Sequence, residues 1–222
     1  MSALFAYPPA THKGKTVPKD QVDRERAGGS SLRAALRERV ARIVWQHTLF
    51  EETLNLPPTA KVPAIQVFEV VLRVPDPGDD LLRAIDRAIP FPILFELSHE
   101  GRRRATAAPK RPSAGRGGQW VLEEPRLWGP WQGEDVPRAP LPVATDLERL
   151  YERMLAALVP EMRSAETLAE GLARKAAREV KAREVERLAG RLKRERQFNR
   201  KVELHEALRV ARADLKRMTD EE

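Results

Sequence analysis

Apolar residues recur with different periods along this chain. Leu32, Leu36 and Val40 step by four and place one stripe on a short helix, with Gly29-Ser30-Ser31 offering its N-cap. Arg33, Arg37 and Arg39 lie off that stripe. Residues 41–50 are rich in β-branched and aromatic side chains and predict a strand, and Pro57-Pro58 breaks the connection to the next run. Residues 65–74 alternate: Ile65, Val67, Glu69 and Val71 face one way, and Gln66, Phe68, Val70, Leu72 and Val74 the other. The second face is almost wholly apolar, which suits a central strand. Asp79 caps a predicted helix through Ala88, with Leu81, Leu82, Ile85 and Ile89 inward, until Pro90 and Pro92 stop it and residues 91–97 form another strand. Strand, helix and strand in this order make a compact crossover unit.

From Ser98 to Gly118 the alternation dissolves. The sequence there predicts a hairpin: a strand near residues 103–108, a basic turn ending in Gly115-Arg116-Gly117-Gly118, and a return strand at 119–122. Trp120, Trp128 and Trp131 punctuate a Pro/Gly-rich stretch to Pro142, which resists helix and central strand alike. Asp146 then caps a helix with Leu147, Leu150, Met154, Leu155 and Leu158 inward, ending at Pro160. After Ser164 nearly every residue is a helix former. Leu204, Leu208, Ala211, Leu215 and Met218 step four, three, four, three, and Val185, Leu188 and Leu192 make a shorter seam upstream. Between the seams, at residues 194–201, the spacing slips. One long helix with a stutter fits this break, and so does an antiparallel hairpin turning near 197–199; two short seams about a register break favour the hairpin.

The fold class read from these patterns is α+β or α/β: a small mixed sheet with two or three packed helices, followed by a basic, coiled-coil-like helical hairpin. Residues 1–30 read as a loosely docked, flexible leader, 31–160 as the α/β domain with a basic hairpin and Pro/Trp-rich stretch at 98–142, and 161–222 as a basic helical arm.

Charge changes the picture more than length does. The 222 residues carry 40 Lys+Arg against 33 Asp+Glu, a net +7 with pI near 10.0, which favours polyanionic partners. The absence of cysteine excludes disulfides, thiolate catalysis and zinc knuckles. Residues 1–15 lack the basic start and apolar run of a signal peptide, and the apolar run at 93–97 is too short to span a bilayer. A cytoplasmic address without a membrane partner is the expectation.

No catalytic, cofactor or metal site is expected. His12, His47, His99 and His205 are scattered without metal-ligand spacing, and residues 115–118 lack the helix and Lys-Ser/Thr pair of a phosphate cradle. Glu69, on a strand, lacks a second carboxylate and a lysine nearby in sequence, and Asp79-Asp80 reads as a helix cap. Two basic clusters remain. Arg102, Arg103, Arg104, Lys110 and Arg111 belong to the predicted strand hairpin, with Arg116 in its turn. Arg187, Arg191, Lys193, Arg194, Arg196, Arg200 and Lys201 gather about the arm's break, with Glu195 the only acid among the last of them. Solvated helices alternate sign to gain i,i+3 and i,i+4 pairs, as Glu184/Arg187 and Glu179/Arg183 do nearby; the break abandons that alternation, so a phosphate backbone is the inferred partner. The same cations also suit an acidic protein surface, and nothing in the chain resembles a base-reading helix or a regular aromatic stacking platform.

Three phrases, residues 88–97, 146–151 and 194–204, in this order and with a basic strand after the first, resemble the bacterial domain-of-unknown-function family numbered 4391, over roughly residues 15–219. The resemblance implies an accessory protein of restriction or phage-defence clusters, beside DEAD/DEAH- or SNF2-type helicases and DNA methyltransferases. It carries over no active site. The reading that results is a non-catalytic nucleic-acid-binding or adaptor subunit, most naturally on DNA. The alternatives are a protein–protein scaffold whose arm docks an acidic partner, and an unrecognised nuclease built on Glu69.

Overall fold

The alternating run at residues 65–72 becomes the centre of the sheet. In the computed structural model, which describes residues 4–20, 30–113, 120–159, 162 and 166–220, β4 (Ile65–Leu72) lies antiparallel to β3 (Val40–Leu49) and parallel to β5 (Ile93–His99). β2 (His12–Thr16) extends the sheet beyond β3, and β6 (Arg102–Ala107) extends it beyond β5. β6 carries the two-residue strands β9 (Leu127–Trp128) and β10 (Gln132–Gly133) on its outer edge. The parallel β4/β5 pair is joined by α3 (Asp79–Ala88), the crossover unit that the pattern predicts.

One sheet face is covered by α1 (Ser30–Arg39) and α3. Leu36, Leu81, Leu82 and Ile85 meet Val40, Ile43, Phe68, Val70, Leu72, Ile93, Phe95 and Leu97 in a continuous buried cluster. At about 1.5–3 kcal/mol for each fully buried aliphatic side chain, the three α3 residues alone outweigh any helix propensity of this ten-residue segment. Val40, read as the end of the α1 stripe, instead opens β3, because it and the β-branched Ile43 and Val44 that follow favour extended backbone. Asp79 does not cap α3. Gly78 holds the N-cap position at φ 79°, and the Asp79 carboxylate is drawn away by Arg83 at 2.6 Å and Arg126 at 2.5 Å. After β3 comes the single turn α2 (Glu51–Leu54). Further on, α4 (Leu147–Ala156) starts as expected: Asp146 Oδ1 accepts from the Arg149 N–H at 2.8 Å, and Leu147, Leu150, Tyr151, Met154 and Leu155 are buried. The helix ends at Ala156 with Ala157 as its C-cap, short of the end expected at Pro160.

Residues 4–20 are part of this fold rather than a loosely docked leader. β1 (Phe5–Ala6) pairs in parallel with β11 (Ala139–Pro140), Leu4, Phe5 and Thr11 are buried, and β2 forms the sheet's edge. All five β2 residues are exposed, so its backbone ladder to β3 does most to hold it, and that ladder has no signature in side-chain pattern.

The expected strand hairpin also divides differently. β6 folds back on β5 through a two-residue turn, with Glu100 at φ 45° and Gly101 at φ 70°, the left-handed pair that such a tight turn demands. The hairpin proper is β7 (Lys110–Pro112) with β8 (Trp120–Leu122), and the turn at 115–118 lies outside the described residues.

The chain divides into two units, Met1–Pro160 and Glu161–Glu222. The second is a pair of helices, α5 (Leu168–Arg194) and α6 (Phe198–Asp220). Thr167 caps α5 through a reciprocal capping box with Glu170. Leu188, Leu208 and Ala211 are buried between the helices, flanked by Val185, Ala189, Leu192 and Leu204, and Lys181 reaches Asp214 at 3.4 Å. Falling numbers on one helix meet rising numbers on the other, so the pair is an antiparallel hairpin. Its turn, 195–197, comes slightly earlier than the spacing predicts.

Candidate nucleic-acid interface

The turn of the helical hairpin gathers one sign of charge. Arg187, Arg191, Lys193 and Arg194 come from the last turns of α5, Arg196 from the turn itself, and Arg200 and Lys201 from the first turn of α6. All seven are exposed, and among the described residues none has a carboxylate within ion-pair distance. Further from the turn the pairing resumes: Lys181 with Glu184 at 2.9 Å, Arg183 with Glu179 at 3.6 Å, and Arg209 with Glu206 at 2.6 Å. The pair expected between Glu184 and Arg187 is not made, because Glu184 turns to Lys181 instead, leaving Arg187 with the tip cations.

Glu195, the acid of the turn, is already engaged. Its Oε1 accepts from the backbone N–H groups of Gln197 and Arg196, at 2.9 and 2.8 Å, and these bonds hold its carboxyl below the ordinary carboxylate range. Arg200 and Lys201 sit at the positive end of α6, where a cation is disfavoured by about 0.3–1 kcal/mol. The last turn of α5 favours Arg191, Lys193 and Arg194 through its dipole, and Glu195 places one negative charge near Arg200 and Arg191, so the hairpin offsets the positive charge of the tip only in part.

The strand cluster has a different fate. Lys110, expected to touch phosphate, is 5% exposed, and its ammonium donates to the carbonyls of Asp86, Ile89 (2.6 Å) and Phe91 (2.9 Å), closing the C-terminal end of α3. Burial lowers its pKa to about 8. Arg104 lies over the rings of Trp128 (4.5 Å) and Trp131 (5.4 Å) and donates to the Gly129 carbonyl at 3.1 Å. Here the Trp-rich stretch serves packing. Arg103 faces Glu134 at 3.8 Å, and Arg111 pairs with Glu123 at 2.6 Å. Only Arg102 stays exposed without an acidic partner among the described residues. Among the described residues the hairpin tip keeps all seven of its cations unpaired, whereas the strand cluster keeps only Arg102 so.

The opposite sheet face holds a polar cluster that the sequence reading missed. Parallel register sets Glu69 beside Glu96, supplying the second carboxylate that Glu69 lacks in sequence. Glu96 is buried and clamped by Arg138 through two bonds of 2.8 and 2.7 Å, while Gln46 donates to Glu69 at 2.8 Å. Burial, then the charge of Glu96, push the Tyr7 hydroxyl well above its ordinary pKa. His12 and His47, far apart in sequence, face each other in the β2/β3 register with ring centroids 5.4 Å apart. His47 Nδ1 lies 2.8 Å from Thr11 Oγ1, and burial, with His12 and Arg138 nearby, lowers its pKa to about 4. Among the described residues no group of three or more His, Asp or Glu is placed to hold a metal ion, and no helix is long and apolar enough to cross a membrane.

A mixed α/β sheet unit with a basic antiparallel helical hairpin is thus the class of protein that these elements define. Residues 5–215 match the family described as Domain of unknown function (DUF4391), and the chain belongs to that family. No curated protein and no solved structure matches it.

Proposed function

We propose that this chain is an accessory, non-catalytic nucleic-acid-binding subunit that works in the cytoplasm beside a helicase or DNA methyltransferase of a restriction or phage-defence system. The observation that carries the reading is the group of seven exposed, unpaired cations at the hairpin tip. Clustered like charge is unfavourable alone and becomes favourable when phosphates meet it and counterions leave. In this reading the hairpin holds the phosphate backbone with little sequence preference, and the α/β unit docks the protein partner.

The test is fluorescence anisotropy of the full chain with a random-sequence duplex over a range of salt. Changing Arg194, Arg196, Arg200 and Lys201 to Gln should lower the log–log salt slope by about 3.6 when all four contact phosphate, since each contact adds roughly 0.9. Arg102→Gln should lower it by at most about 1. An unchanged slope in the tip variant moves the binding site elsewhere.

A scaffold reading draws on Val180, Val202 and Val210, which are 64%, 54% and 48% exposed on the same helices and offer apolar contact that phosphate does not use. Absence of nucleic-acid binding, with an acidic protein captured through the tip, would favour it. The nuclease reading rests on Glu69 beside Glu96, and requires metal-dependent cleavage that is lost in Glu69→Ala.

A further inference from the structure

Phe198 is the only Phe, Tyr or Trp in residues 161–222, and it does not join the seam between α5 and α6. It is 76% exposed, the first residue of α6, at the turn between Arg196 and Arg200. The seam is filled by aliphatic side chains, so the hairpin has no packing use for this ring. Its neighbours Gln197 and Asn199 are exposed as well, uncharged, and able both to donate and to accept hydrogen bonds. An exposed aromatic ring flanked along the chain by the unpaired Arg196 and Arg200 has the two elements of a single-strand binding site: charge for the backbone and a π face for a base.

Resting on the phosphate-binding reading of the tip, we propose that Phe198 stacks on an unpaired base and makes the hairpin prefer single-stranded segments, frayed ends or junctions to continuous duplex. In a duplex both faces of every internal base are already covered by its neighbours, and exposing one means unstacking it first. In a single strand a base face is free. The ring therefore adds to single-strand binding and adds almost nothing on an intact duplex, whereas the cations act on both. Gln197 and Asn199 lie close enough in sequence to meet the edge of the same base, giving a mild composition preference at one nucleotide.

The test uses the full chain, a dye-labelled 20-nucleotide oligothymidylate, and, as unlabelled competitor, a relaxed closed-circular duplex that has neither ends nor unpaired loops, at matched salt. The wild type should bind the single strand more tightly. Phe198→Ala should weaken single-strand binding roughly 5- to 150-fold while changing duplex binding by less than about twofold. Phe198→Trp should keep or raise the preference. The salt slope of the alanine variant should stay that of the wild type, because no cation is removed. The ring is exposed, so loss of fold is not expected, and unchanged ellipticity at 222 nm verifies this.

Equal losses on both substrates, or no loss on either, would overturn the stacking role. If the four-Gln tip variant still loses salt slope in that case, the phosphate-binding reading survives and only the role of Phe198 falls. If the wild type binds neither substrate, both fall together, and Phe198 becomes an anchor for a protein surface.

Discussion

Replacing Arg126 with Met should be among the most damaging single changes in the α/β unit. The Arg126 side chain is 2% exposed and joins two carboxylates of α3, Asp79 and Asp86, each at 2.5 Å. The Asp86 side chain is fully buried, and its other cation, Lys110, stands 3.9 Å away. Methionine fills much of the arginine's volume, so the loss is chiefly electrostatic. Removing one partner of a buried pair costs about 3–5 kcal/mol, because the remaining charge stays buried and under-compensated. For a unit of this size, that lowers Tm by roughly 6–20 °C.

All four tryptophans, Trp45, Trp120, Trp128 and Trp131, lie in this unit, so tryptophan fluorescence reports its melting apart from the helical hairpin. A second readout separates charge from cavity. Burial already raises the Asp86 pKa, and losing Arg126 raises it further. A carboxyl whose folded pKa lies above its unfolded value binds protons preferentially in the folded state, so stability falls as pH rises through that window. The variant should therefore lose more at pH 8 than at pH 5. Asp86 Oδ1 and Arg126 Nη1 are both buried without hydrogen-bond partners, so the native pair is itself imperfectly satisfied. An Asp86→Leu/Arg126→Met double variant should consequently recover most of the single-variant loss. A loss below about 1 kcal/mol in the single variant, or losses that simply add in the double, would refute this account.

Two further outcomes are expected. With the folded pKa of Lys110 near 8 against an ordinary 10.5, the unfolded chain retains a proton between those values that the folded chain has released, so wild-type stability should rise with pH across that window, by at most about 3 kcal/mol, and urea melts of Lys110→Met should lack the rise. Leu208→Ala should cost about 2–5 kcal/mol in a hairpin whose buried seam is only Leu188, Leu208 and Ala211; the sign to look for is lost ellipticity at 222 nm with an unaltered tryptophan transition, and loss of both together would contradict separate units.

The sequence by itself determined the elements whose signals are local. Leu81, Leu82 and Ile85 repeat at helical spacing, Asp146 is a good cap three residues before the N–H it accepts, and two heptad seams about a break encode a hairpin, because each pattern acts within a turn or two of backbone. It also marked the unpaired charge at the tip, since i,i+4 pairing is a property of one helix; it passed over Phe198, although a lone aromatic outside both seams was already visible there.

Only the tertiary structure decided what long-range register decides. Lys110 and Arg111 are adjacent and chemically alike, yet one closes the end of α3 and the other pairs with Glu123 at the surface. A three-residue strand without apolar alternation carries no information about which of its faces points inward. The same holds for β2, recruited by the exposed ladder of β3, and for Glu69 and Glu96, which become neighbours only because β4 and β5 run parallel in that register. Arg138, which clamps Glu96 from a proline-rich stretch 42 residues away, had no local pattern to announce it, since a salt bridge of that span depends on how the whole unit folds.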